Sequence, residues 1–172
     1  MLENNCCKWI EVAYLNLLDK WDNKRITVSA ICERAGVTRK TFYRYFNNKP
    51  QIVERLLYEA RDALFEKVNA LDAPPRPDTL MLLGLEHFYR KPELAILIEH
   101  DDIRSQLRRL MQEIILEIYT RYFKQDGYHG YDAHILVAAA SAVFFHWFDR
   151  GCVDQPEEIV VIFRDALHID FY

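Results

Sequence analysis

Glycine and proline are scarce in this chain, five and six residues in 172. With so few breakers, and with apolar residues mostly at helical spacing, the chain reads as all-α. Long apolar runs are missing too. The longest, Ile135 to Phe148, is interrupted by Ser141 and His146 and falls short of the ~20 residues a membrane span needs. Met1 to Asn5 has no basic start followed by an apolar stretch, so no secretory leader is expected. The four cysteines, Cys6, Cys7, Cys32 and Cys152, show no C-x-x-C spacing and three lie inside apolar helical patterns. Reduced thiols in a cytoplasmic protein are expected. Catalytic fingerprints are absent: there is no Gly-x-Ser-x-Gly, phosphate loop or dinucleotide motif, so an enzyme is not expected. None of the six histidines pairs convincingly with a second ligand at helical spacing, and Glu99-His100-Asp101-Asp102 reads as a solvated turn. No metal or cofactor is expected. The net charge of −4 excludes a protein that coats nucleic acid without preference, so any such contact must be local.

One local contact surface is written into the charge pattern. Between Lys24 and Lys49 stand seven basic residues (Lys24, Arg25, Arg34, Arg39, Lys40, Arg44 and Lys49) against the single acid Glu33. The segment carries +6 and the rest of the chain −10, as expected of a protein that meets phosphate on one face. The same segment has the grammar of a helix-turn-helix. Thr27 can cap a helix whose apolar positions Val28, Ile31, Cys32 and Ala35 recur at i, i+3, i+4 and i+7. Gly36 supplies a left-handed residue to close it. Thr38 caps the next helix, and Val37 before the cap can staple to Phe42. Phe42 and Phe46 then face inward and leave Arg39, Lys40, Tyr43 and Arg44 outside. Asn48 followed by Gln51, with Pro50 in the first turn, opens a fourth helix that continues to about residue 72.

The remaining chain predicts helices at about 8–21, 79–89, 102–123, 133–149 and 156–168, with Asp132 as a cap and a loop from Gln125 to Gly130. The Pro-rich connector Asp72 to Pro77 is the expected boundary. The organisation is a three-helix DNA-binding head over residues 1–50 and a small helical-bundle body over residues 73–172. The helix at 133–149 is apolar nearly all round, with Ala138, Ala139 and Ala142 on one side. A body of about 100 residues offers little core to bury such a helix alone, so a second copy is expected to cover it, with core burial inside one subunit as the competing reading.

The run Ala35-Gly36-Val37-Thr38-Arg39-Lys40-Thr41-Phe42-Tyr43-Arg44-Tyr45-Phe46-Asn47-Asn48-Lys49 resembles the TetR family of transcriptional regulators. It is most similar to the small Firmicutes-type branch that includes the dihydroxyacetone-kinase activator. Tyr45 departs from the family pattern, which often has His there. The resemblance implies a regulator that binds a palindromic double-stranded DNA operator as a homodimer, through helices 133–149 and 156–168, under control of a small effector. It implies DNA contacts by Thr27, Thr38, Arg39, Lys40, Thr41, Tyr43, Arg44, Tyr45 and Lys49. By residue type, Arg39, Lys40 and Thr41 suit base edges, the tyrosines and Lys49 suit phosphates, and Thr27 and Thr38 offer helix-start amides. An effector pocket in the body would draw on Phe88, Tyr119, Tyr122, Phe144 and Trp147, residues that read equally well as core. The alternative within the same fold is a coactivator, or protein-interaction module, that acts through a partner protein.

Overall fold

The computed structural model describes residues 2–73, 75–122 and 130–167. Helices α1 (Leu2–Leu18), α2 (Val28–Ala35), α3 (Arg39–Tyr45) and α4 (Pro50–Asn69) are followed by α5 (Pro77–Tyr89), α6 (Asp101–Tyr122), α7 (Gly130–Asp149) and α8 (Pro156–Leu167). Short 3-10 segments lie at Asn23–Arg25 and Pro92–Ile98. The described residues are helical with no strand, the all-α class that the sequence implies. Three differences from the expected elements stand out. Helix α1 starts six residues before Lys8, and neither 3-10 segment was foreseen. Helix α7 already begins at Gly130, so Asp132 lies inside its first turn rather than capping it. The expected loop after Phe123 and the helix end at His168 lie outside the described residues.

Two compact units form, Met1–Glu59 with Ile96–Leu107, and Ala60–Ala95 with Arg108–Tyr172. The expected boundary at Asp72 to Pro77 lies inside the second unit. Helices α4 and α6, of 20 and 22 residues, each contribute to both units, because the apolar stripe of a long helix continues past the end of one core into the next.

In the first unit, α1 packs on α2 and α3. Ile10, Tyr14, Ile31, Phe42, Phe46 and Ile52 are almost fully buried. Glu11, 1% exposed, accepts from Arg55 Nε at 3.0 Å and lies 3.1 Å from Lys8 Nζ. A carboxylate that deep is tolerable only because it is paired. It pins α1 to α4. The Cys7 thiol beside it is pushed up to about 11 by burial and by Glu11, and burial raises Cys32 as well. All four cysteines are free thiols, and these two pack as small apolar groups.

In the second unit, α8 packs on α5 and α7. Rings fill the space between α5 and α7. Phe88 meets Phe144 and Phe148 edge-on at 4.9 and 5.4 Å between centroids, a favoured arrangement for aromatic quadrupoles. Trp147, 1% exposed, satisfies its indole N–H at Asp154 O, 2.9 Å away. Gly151 (φ 76°) ends α7 in the left-handed region, followed by Cys152 at φ 55°.

His87 of α5 is buried and its Nε2 has no hydrogen-bond partner among the described residues. Burial, helped by Lys91 and Lys67, lowers its pKa from 6.5 to about 4. The unfolded chain therefore takes up this proton first, and stability present above pH 6.5 is lost as the pH falls toward 4. Thermal unfolding between pH 7 and 4 should show a smaller decline for His87→Leu than for the wild type. Parallel profiles would show that His87 carries no such cost.

Candidate nucleic-acid interface

Helix α2 is closed at both ends by its own sequence. Thr27 Oγ1 accepts from Ala30 N at 3.2 Å. Gly36 sits at φ 67°, ψ 30° and returns its N–H to Cys32 and Glu33 carbonyls. A residue with a Cβ would lose about 1–2 kcal/mol in that conformation. Helix α3 follows after two residues. Its cap, Thr38, accepts from Thr41 N at 3.1 Å, and the two threonine hydroxyls lie 3.0 Å apart. Phe42, 0% exposed, and Phe46 anchor it from behind, their centroids 5.7 Å apart.

Those anchors decide what the helix shows. At about 100° per residue, Lys40 and Arg44 fall opposite Phe42 and Phe46, and both are exposed. Arg39 and Tyr43 occupy one flank, also exposed, with the Arg39 guanidinium 5.9 Å from the Tyr43 ring centre. Thr41 and Tyr45, both half-buried, occupy the other. Arg44 lies 6.0 Å from the Tyr45 ring centre. Eight of the nine expected contact residues, Thr27 and those from Thr38 to Tyr45, are thus gathered around two helix starts and one helix face, with Thr41 already engaged by its cap.

Lys49 is placed otherwise. Its ammonium donates to the carbonyl of Asn23 and, at 3.0 Å, to that of Ile26. Burial lowers its pKa against the opposing pull of Asp102 and Asp22. The expected reach to a phosphate is replaced by a grip on the chain just before α2. Sequence reasoning missed the partners of that grip, Tyr14, Asn23 and Asp102. Asn23 reads as a helix terminator, and Asp102 is 79 positions away, so no local pattern marks them.

Of the expected pocket residues, Phe88, Phe144 and Trp147 share the ring cluster of the second unit. Tyr122 instead packs on Phe65, 6.2 Å between centroids, and donates to Asn69 at 3.2 Å. The Tyr119 side chain lies outside the described residues. Among the described residues no group of three His, Cys, Asp or Glu side chains is placed to hold a metal, and no helix is long and apolar enough to cross a membrane.

The exposed basic face, two capped helices and the glycine turn between them have the geometry of a helix-turn-helix. Residues 23–56 match the tetR family of bacterial regulatory proteins. The chain is similar to a nucleoid occlusion factor, SlmA, of Aliivibrio fischeri (strain MJ11), 27% identical over 105 residues that cover 54% of each protein. It is also similar to the HTH-type transcriptional regulator YxbF of Bacillus subtilis (strain 168), 24% identical over 87% of this chain and 41% of that one. The chain spans about half the length of the curated relatives it matches. A TetR-family transcriptional regulator from Syntrophomonas wolfei has the same fold, with a TM-score of 0.75 and 19% identity over 98% of this chain and 97% of that one. Residues 23–56 thus carry the sequence pattern of the tetR family, and the chain as a whole has the fold of a TetR-family regulator.

Proposed function

We propose that the protein is a cytoplasmic transcriptional regulator that binds a palindromic operator as a homodimer, with α3 of each copy in the major groove. The observation that carries this reading is the outward pair Lys40 and Arg44 on a helix fixed from behind by Phe42 and Phe46. Lysine and arginine there suit guanine O6 and N7. Arg39 and Tyr43 on one flank, and Tyr45 on the other, suit phosphates, as do the amides at the helix starts capped by Thr27 and Thr38. The dimer reading is supported by α7 and α8. Tyr131, Ile135, Ala138 and Ala142 form an exposed stripe on α7, and Val161 and Ile162 are exposed on α8. Ile135 and Ile162 are 60% and 67% exposed, more apolar surface than an isolated subunit gains from showing. A small, largely apolar effector bound by the second unit would modulate the regulator, and the packed rings of Phe88, Phe144 and Trp147 would have to part to line its site.

Fluorescence anisotropy on an operator duplex and a scrambled duplex tests the groove assignment. Lys40→Ala or Arg44→Ala should weaken operator binding about tenfold or more, since a specific base contact is worth ~1–3 kcal/mol. The scrambled duplex should lose much less. Arg39→Ala should weaken both alike. Equal losses on both duplexes for Lys40 and Arg44 would refute base reading by that face.

A further inference from the structure

The residues that lead into α2 are held by a polar network no DNA contact explains. Asn23 is buried. Its Oδ1 accepts from the Tyr14 hydroxyl of α1 at 2.9 Å, and its Nδ2 donates to Asp102 Oδ2, in the first turn of α6, at 2.7 Å. Its backbone carbonyl, and that of Ile26, accept from the Lys49 ammonium at the start of α4. Asp22 caps the short turn between them by accepting from Lys24 N at 2.8 Å. Four residues of backbone are therefore gripped by Tyr14, Lys49 and Asp102 from three other helices, and all three of these residues belong to the first unit. The next residue, Thr27, caps α2, whose start would receive a phosphate and whose far end turns into α3.

We infer that Asp102 and Lys49 are positioning residues for DNA binding, setting the start of α2 through Asn23 rather than touching DNA themselves. This rests on the proposed operator binding and names what sets its strength. An ammonium held by two carbonyls in a half-buried place needs a compensating charge, and the carboxylates that supply it are Asp102 and Asp22. Removing Asp102 leaves the Asn23 amide without its acceptor and weakens the hold on Lys49.

The sign of one substitution separates this device from plain electrostatics. Deleting an acid from a DNA-binding unit should, by charge alone, leave binding unchanged or tighter. Positioning predicts the opposite: Asp102→Ala binds operator and scrambled duplexes about tenfold more weakly, a loss of one interaction's size. Asp102→Asn, which keeps an oxygen for Asn23 but not the charge facing Lys49, should recover part of that loss. Lys49→Met should weaken binding with an unchanged slope of log affinity against log salt, because no phosphate contact is removed. A direct contact would lower that slope by about 0.9. The double variant should lose little more than either single one, as expected within one network. Amide hydrogen exchange at residues 26–31 should quicken in Asp102→Ala without any DNA present. Binding by Asp102→Ala as tight as wild type, a slope reduced by Lys49→Met, or unchanged exchange would each overturn the inference. Should Asp102→Ala fail to fold, the Lys49→Met slope and faster exchange at residues 26–31 in Lys49→Met decide alone. Wild-type protein that binds no DNA would sink the operator reading, while the exchange measurement would still decide the role of Asp102.

Discussion

Phe42→Ala is expected to lower the stability of the DNA-binding unit by about 3–5 kcal/mol, the cost of emptying a fully buried phenylalanine site. Phe42 is 0% exposed and touches Phe46 and Tyr43 in ring contacts of 5.7 and 5.4 Å. Helix α3 has only seven residues, too short to persist without packing. Its anchor therefore holds both the helix and the reading face. A whole domain is stable by only ~5–15 kcal/mol, so this loss takes a large part of the margin. Urea unfolding followed by circular dichroism should show an early transition absent from the wild type, and operator binding should disappear with it. A variant within about 0.5 kcal/mol of wild type, still binding operator, would show that α3 is held by something other than its phenylalanines.

Ile162→Arg is expected to leave the subunit folded and separate the proposed dimer. Ile162 is 67% exposed on α8, so arginine costs the single subunit almost nothing. In a two-fold interface the same substitution appears twice and each guanidinium loses its water without gaining a partner. Sedimentation should show a monomer where the wild type is a dimer. Operator affinity should fall at least a hundredfold, because two linked half-site contacts become independent. A dimer that survives Ile162→Arg would move the interface away from α8.

The parts legible in the sequence are those written over three or four residues. Thr27, Thr38 and Gly36 act on amides and carbonyls of their own helices, and Phe42 and Phe46 recur at the period of one turn. Each could be read without knowing what lay opposite. The start of α1 at Leu2 was hidden because Glu3, Asn4 and Asn5 interrupt the apolar pattern that begins later. The sharing of α4 and α6 between two units was hidden because a continuous apolar stripe does not record which core it serves. Lys49 shows the limit most clearly. Counted as one of seven cations on a basic segment, it looked like a phosphate ligand. Its direction is set by two backbone carbonyls and by Asp102, 53 positions later, and charge counting carries no direction. Likewise Arg39 and Thr41 have the chemistry to read bases, but Tyr43 and the Thr38 cap already hold them.

Dimethyl sulfate protection on a duplex selected from random sequence by the wild-type protein tests the central claim most directly, since the reagent methylates guanine N7 in the major groove and adenine N3 in the minor groove. Two clusters of protected guanines, related by a two-fold axis and centred about one helical turn or a multiple of it apart, are predicted from a dimer with α3 in the groove. No enriched duplex, a single unpaired cluster, or protection confined to adenine N3 would contradict it.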